Sequence, residues 1–567
     1  VPEKPLSFTD ASEVFEYIKD EKNHIHFVAC IITNVLGQFF KCFFDVHEIS
    51  LDKLKNGFSF DASSIKLYAD TGFSDFCMKI DFETCFLETS NGTNVLNFLC
   101  YVKNYNGYDY YKCPRTIIKN ACLFIKKEGI ADNVYIGNEI EFFIFDKIKY
   151  NLDDYNMYLK IYDRESYNCK NELNELYEHK QFNNYIKDKN ISCFFNGNVK
   201  NSSHIQHDNN SSLIYGNNPL FTNICLTDND GKKIKKKSGY FSADPCDTSN
   251  IIKIQICCKL KNYNISVEKY HHEVSTSQHE ISLKYHTAQK NADVLLITKQ
   301  VIKETVNSFN RIVTFMPKPL MHENGNGLHC NISLWKNGNN IFYQNDSSTF
   351  FLSKEAFYFI NGIVKHAKSL QAFCNATINS YKRLVPGFET CQKLFYSFGS
   401  RLAVIRLSLI NYNNSAEKRI EFRLPDYSNS PHLVLAAIIL AGYDGMKTKE
   451  PPLVPLECIN DDFCISSIFK DYVQPPYTFE IINHALQDYH KFHDLKYNQE
   501  FTDFFKSYEP ECISFSMEES LDALEKDHDF LLVDNIFSEE YIAYKRNEVY
   551  EYKKVVTPYD FFMYFDS

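Results

Sequence analysis

The 567-residue chain has no apolar run near the ~20 residues that a membrane-spanning helix requires. Its longest candidate, LVLAAIILAG at 433–442, is far too short and is expected to be a buried core helix. It has no excess of positive charge either. Lys and Arg total 61 against 72 Asp and Glu, for a net charge of -11, which argues against a nucleic-acid partner. The single basic run, KKIKKK at 232–237, is local and reads as a solvated loop. The N-terminal VPEKPLSFTDASEVFEYIKDEK is acidic and amphipathic, and lacks the basic start and apolar centre of a secretory signal, so a cytoplasmic protein is expected. The 19 cysteines show no paired, zinc-like spacing. Reduced thiols are the expectation, including ICC at 256–258 inside an apolar strand pattern. No GxxxxGK[ST] loop is present, so any nucleotide is held by another architecture. No internal repeat is found.

What is present is ordinary for a globular protein: 44% hydrophobic and 23% charged residues, in a chain long enough for two or three domains. Residues 1–112 read as a small α+β unit, in which the helical DASEVFEYIKDE precedes strand-like HIHFVACIIT and FFKCFFDVHEI, joined through a turn glycine in TNVLGQF. Residues 113–567 form the larger unit, opening with the helical pattern RTIIKNACLFIKKEGI and the strand-like VYIGNEIEFFIFD. Between about 147 and 237 the chain turns rich in Asn, Lys, Tyr and Asp without sustained apolar periodicity, and is expected to be a low-complexity, loosely packed insertion. The same bias runs more weakly through the whole chain and suggests an AT-rich genome.

Several strands aim charge at one face. In RIEFR, Arg419, Glu421 and Arg423 point one way and Ile420 and Phe422 the other. GNEIEFFIF sets Glu139 and Glu141 two apart, and VEKYHHEVSTSQHEISL sets Glu268, Glu273 and Glu280 among three histidines. In GNGLHCNISLW, His329, Asn331 and Ser333 share a face, and RLAVIRL carries Arg401 and Arg406 inside an apolar strand. Each has a bland reading. An ExE pair usually faces solvent at a sheet edge, HHE alone suits a satisfied core histidine pair, a lone buried Arg is usually a structural ion pair, and NGNG at 324–327 is normally a turn. Together they imply a curved sheet lining a polar cavity, because carboxylates on apolar strands need cations to offset their desolvation. Carboxylates with one His suit Mg²⁺ or Mn²⁺ better than structural zinc, and such a site with a ring of arginines suits phosphoryl transfer.

The same residues resemble a known family. FDASSI, GNEIEFF, GYF, HHEVSTSQHEI, FMPKP, NGNGLHCNISLW, NSYKRLVPGFE and RIEFRLPD are similar to the successive signatures of type I glutamine synthetase, with the Glu273-to-Glu280 spacing of its I-alpha branch. The likeness covers nearly the whole chain except the 147–237 segment, and includes a C-terminal stretch similar to the family's closing helices. It implies an α+β fold: a small N-terminal β-grasp-like domain and a large catalytic domain whose curved antiparallel sheet lines the active site, surrounded by helices. It implies formation of glutamine from L-glutamate, ATP and ammonium through γ-glutamyl phosphate, with two or three Mg²⁺ or Mn²⁺ per site. It also implies a homo-oligomer, typically a dodecamer of two hexameric rings with sites between subunits.

Carried over residue by residue, the resemblance makes Glu141, Glu273 and Glu280 ligands of a first metal, and Glu139, His329 and Glu421 ligands of a second. Arg401, Arg406 and Arg419 match phosphate-binding arginines, with Arg401 also catalytic. Glu268, Asn331 and Ser333 match nucleotide-side positions, and Asn324, Gly325, Arg383 and Arg423 match glutamate-binding positions. Asp61, Ser64, Tyr240, Glu273 and Glu389 match the ammonium site, with Asp61 as proton acceptor and Glu389 on a closing flap in KRLVPGFE. The chemistry asks for these roles: an acyl phosphate must be shielded from water, and ammonium must lose a proton before it attacks. The chain departs from the family pattern at Ala62 and Ser400, carries Asn331 where many members have His, lacks the NLY adenylylation motif, and has Asp70 where a feedback-linked Arg is common. Two other readings compete. A ligase for a bulkier amine would open or neutralise the ammonium pocket, and a non-catalytic ring-former would have lost metal ligands.

Overall fold

A computed structural model of the chain describes residues 6–166, 233–450, 510–531 and 539–564 apart from 70–71, 73, 91, 347–349 and 409–412, together with a strand pair within 456–465. The N-terminal unit begins with the helix Ala11–Lys19, capped by the Asp10 carboxylate. Its six strands are β1 (Ile25–Thr33), β2 (Phe39–Asp45), β3 (Phe58–Asp61), β4 (Asp75–Ile80), β5 (Phe86–Ser90) and β6 (Thr93–Lys103). They run in the order β2-β1-β6-β4-β3, with β5 on the side of β6 and the central β1–β6 pair parallel. A separate apolar core under this sheet joins Val14, Val28, Leu54, Leu96, Phe98 and Val102.

The larger unit is built on β7 (Asn133–Phe145), which alternates along its length. Ile136, Ile140, Phe142 and Ile144 enter the main core, and Glu139 and Glu141 face the other way. Next come the hairpin β8 (Lys147–Asp153) and β9 (Asn156–Tyr162), then β10 (Val267–His272), β11 (Gln278–Leu283), β12 (His286–Thr287), β13 (Ile312–Thr314), β14 (Leu328–Lys336), β15 (Asn339–Asn340), β16 (Lys393–Ser397), β17 (Ala403–Arg406) and β18 (Ile420–Phe422). Ten of these strands make one sheet, ordered β10-β11-β7-β14-β18-β17-β16, with β12 and β13 on β7 and β15 on β14. It is antiparallel except at β16–β17.

Helices Pro114–Lys127, Ala288–Ser308, Lys354–Lys365 and Pro431–Thr448 supply the other half of the core. The stretch expected to be a core helix, 433–442, is buried throughout. It passes close to Lys354–Lys365: a Cβ on Gly445 would stand 2.1 Å from the Tyr358 carbonyl, so only glycine fits. The two units are joined by buried Arg115, whose guanidinium donates to Asp293 at 2.8 Å and to Asp81, beside the N-terminal sheet, at 2.7 Å. His432 Nε2 lies 2.8 Å from the same Asp293.

Three expectations are corrected. The segment expected to loosen at about 147 first forms the β8–β9 hairpin, closed by a turn in which Asp153 accepts the Tyr155 N–H at 3.0 Å. It escapes a periodicity reading because it is a two-stranded ribbon with Tyr150, Leu152, Tyr155 and Leu159 exposed. Residues 167–232, most of that segment, lie outside the described residues. Cys257 and Cys258 lie in the helix Asn250–Asn262, not in a strand. The run IIKIQICC alternates like a strand, but burial falls at Ile252, Ile256 and Leu260, a helical spacing, and Lys253 is buried against Asp247 at 2.5 Å. Arg401, finally, precedes β17 in an exposed turn, because the strand begins only at Ala403. Apart from Cys246, the 13 other cysteines described with their side chains are free thiols.

Candidate active site

The strand pairings assemble the site. Residues directly opposite on neighbouring strands share a face, and the register sets Glu280 opposite Glu141, His329 opposite Glu139, Asn331 opposite Glu421, and Arg406 opposite Glu421. Five strands thus bring four carboxylates, a histidine and an arginine onto one face.

Glu139, His329 and Glu421 form one compact group, their ligand atoms mutually within 4.8 Å. His329 Nδ1 is 3.2 Å from Glu139 and 3.8 Å from Glu421. Burial pushes the Glu139 carboxyl up, but the hydrogen bond from His329, the His329 charge and the Lys269 charge together outweigh it and leave Glu139 below its ordinary value. Glu421 is also held down against burial, chiefly by Arg423, which donates to it at 2.6 Å, while Arg406 donates to its other oxygen.

A second group joins Glu273 and Glu280 to His271, again within 4.8 Å. His271 Nε2 lies 3.3 Å from Glu280 and Nδ1 3.7 Å from Glu273. Glu141, expected in this set, stands beside it: its carboxylate accepts the Gly327 N–H at 2.8 Å and lies 4.0 Å from His329 Nε2. It thereby lies between the two groups. His271, which the sequence reading did not single out, is the third member of this group. Its place is set by the turn: a hairpin folded about Ser275 and Thr276 puts His271 opposite Glu280 and His272 opposite His279. The second histidine is the core one: His272 Nε2 is 3.1 Å from buried Glu165, which also accepts from Thr248 and from the Ser277 N–H.

The chemistry of these donors fits a divalent cation. Burial, with Glu141 and Glu280 beside it, pushes the Glu273 carboxyl up to about 9, whereas His271 and Lys269 bring Glu280 down to about 2 against its own burial. A divalent ion between them would relieve the repulsion that protonates Glu273. At pH 7 metal-free Glu273 holds a proton that a metal ligand cannot keep, so Mg²⁺ binding is expected to release about one proton per site. Calorimetric titration in buffers of different ionisation enthalpy reads this directly, and a heat independent of buffer would contradict it.

Around the groups, Arg423 and Arg383 are buried, and the Arg383 guanidinium donates to the carbonyls of Leu424 at 3.0 Å and Arg423 at 3.2 Å. Gly325 packs against it: a Cβ there would meet the Pro317 carbonyl at 2.1 Å and Arg383 Cγ at 2.9 Å. The Gly325 carbonyl accepts from Gln278 Nε2 at 2.9 Å, and Asn324 beside it is buried. Arg419 Nε donates to Asn331 at 3.1 Å. Ser333 accepts from Trp335 Nε1, and Glu268 is exposed on β10. Tyr240 stacks on Phe241 and lies edge-to-face with His271, ring centroids 5.4 Å apart, and Arg401 donates to Glu389 at 3.1 Å. Asp61 and Ser64 are brought only to each other. The Asp61 carboxylate accepts from Ser63 and Ser64, and among the described residues no hydrogen bond or ion pair joins it to the catalytic sheet.

Residues 111–464 match the family model described as the glutamine synthetase catalytic domain, and 24–105 match its beta-Grasp domain. A glutamine synthetase of Rhizobium meliloti is 30% identical over 98% of this chain and 99% of its own length. One from Azospirillum brasilense is 33% identical over 78% and 83% respectively. Among solved structures, glutamine synthetase of Plasmodium falciparum is similar at 62% identity and a TM-score of 0.83, covering 99% of this chain and all of its own. Two carboxylate–histidine groups on one sheet face, the arginines around them and these matches agree: the chain belongs to the glutamine synthetase family.

Proposed function

We propose that the chain ligates ammonia to the γ-carboxylate of L-glutamate at the expense of ATP, through γ-glutamyl phosphate, as an I-alpha-type enzyme working in the cytoplasm. The observation that carries the reading is the strand register that gathers Glu139, Glu141, Glu280, His329 and Glu421 on one face with Arg406 among them. The Glu273–Glu280 spacing and Asn331 support the I-alpha assignment, and the free thiols support a reducing compartment.

Bound Mg²⁺ or Mn²⁺ would neutralise phosphate charge, held by Glu273 and Glu280 with Glu141 on one side, and by Glu139, His329 and Glu421 on the other. The protein's own groups do the rest. Arg406 and Arg419 flank β18 and hold the ATP phosphates, with Glu268, Asn331 and Ser333 on the nucleotide side. Arg401 reaches the transferring phosphoryl group, where a fixed guanidinium stabilises the charge that builds up in the transition state. Asn324, Gly325, Arg383 and Arg423 form the glutamate end. Glu273, Glu389 and Tyr240, with Asp61 and Ser64, receive ammonium; Asp61 takes its proton, and Glu389 closes over the acyl phosphate. Because the Asp61 loop makes no described bond to its own chain's catalytic sheet, we assign it to the site of a neighbouring subunit in a double hexameric ring. Purified protein with glutamate, ATP and Mg²⁺ is expected to release phosphate at its full rate only when ammonium is added. Equal turnover with a bulky primary amine, or none with ammonium, would overturn the assignment.

A further inference from the structure

The flap that bears Glu389 is gripped by two lysines from other parts of the chain. It leaves the helix Ile378–Arg383 and turns through Gly387 and Glu389, at φ of 86° and 54°. Between them Phe388 meets two ammonium groups from different parts of the chain. Lys318 Nζ lies 3.3 Å from the ring centroid and Lys237 Nζ 4.2 Å. Lys237 also donates to the Gly387 carbonyl at 2.8 Å.

Both lysines are mounted on the same rigid support. Lys318 is buried; its Nζ donates to the Glu323 carbonyl, and its backbone exchanges hydrogen bonds with the Asn379 amide at 2.8 and 3.0 Å. The Lys237 N–H donates to the Glu323 carboxylate at 3.2 Å, and Thr276, three residues from Glu273, donates to the other carboxylate oxygen at 3.3 Å. Glu323 is itself buried. The grip thus runs from the segment that carries Glu273, through Glu323, to the flap.

The geometry points to Lys237 and Lys318 as positioning residues that latch the flap shut through Phe388 and Gly387. This rests on the glutamine-forming reading of the site. With the latch closed, ammonia attacks the γ-carbonyl carbon of the acyl phosphate, the bond from that carbon to the phosphate oxygen breaks, phosphate departs with the electron pair, and the new C–N nitrogen gives one proton to solvent to leave the amide. With the latch open, a water oxygen attacks the same carbon, phosphate leaves the same way, a proton goes to solvent and glutamate is regenerated, so that ATP is merely hydrolysed. The latch therefore governs coupling between ATP and glutamine.

The test uses the full-length enzyme and counts phosphate against glutamine. Lys237 is exposed, so its replacement leaves the core intact. Lys237→Met is expected to raise glutamate-dependent phosphate release without ammonium by roughly two- to five-fold, the ratio matching loss of one cation–π contact at an exposed side chain. At saturating ammonium it is expected to yield more than one phosphate per glutamine. Lys237→Arg, which keeps the cation and the donor, is expected to restore coupling, and Phe388→Leu to repeat the leak. Unchanged stoichiometry in Lys237→Met, or no recovery in Lys237→Arg, would overturn the latch while the wild type still makes glutamine. A wild type that makes none would refute the assigned reaction, and the latch with it.

Discussion

Glu421→Ala is expected to abolish turnover and to lower the unfolding free energy of the metal-free protein by about 3–5 kcal/mol, the cost of leaving a buried charge without its partner. Glu421 sits between Arg406 and Arg423 and 3.8 Å from His329. Arg406 is about a third exposed and turns toward water when its partner is lost; Arg423, at 10% side-chain exposure, has no such outlet. Its neighbour Arg383 adds a second positive charge, tied to the Arg423 carbonyl. The variant is also expected to lose thermal stabilisation by Mg²⁺ at the Glu139–His329 group. Denaturant unfolding with and without Mg²⁺ checks both parts. A stability change below about 1 kcal/mol would place Glu421 among screened surface pairs and remove the basis for the buried charge cluster.

Asp61→Ala is expected to cut ammonium-dependent turnover by about 10²–10⁴-fold, the range for loss of a positioned proton acceptor, while nucleotide still binds. The Ser63 hydroxyl and N–H hold the Asp61 carboxyl below its ordinary value, so it is ionised at neutral pH. The loop that carries it ends β3, at one edge of the N-terminal sheet. If that loop completes a neighbour's site, co-expression of Asp61→Ala with Glu273→Gln gives mixed rings in which some interfaces hold both native residues. Activity then returns, although each variant alone is inactive. Mixed rings as inactive as their parents would mean that every site is built within one chain.

Much of the fold was legible because two periods were written clearly. Glu139 and Glu141 stand two apart among the apolar residues of β7, and 433–442 is apolar all round, so sheet and core helix followed directly. Glu139, His329 and Glu421 were each legible on the polar side of their strands, and their grouping was an expectation of the family resemblance. His271 was not, because its place depends on which residues form the β10–β11 turn, and a shift of one would exchange it with His272. Arg401 was read into a strand because LAVI beyond it is continuous apolar sequence, yet the chain pairs only from Ala403. The helix Asn250–Asn262 was hidden by Lys253, a charged residue in the core whose partner Asp247 lies outside the helix.

The register described for β7 also fixes where this chain tolerates length changes. Adding or removing one residue between Asn133 and Glu139 would rotate both carboxylates into the apolar layer occupied by Ile140 and Phe142, and Ile140 into the polar layer. Changes of length are therefore expected to be tolerated at joints between strands rather than within β7.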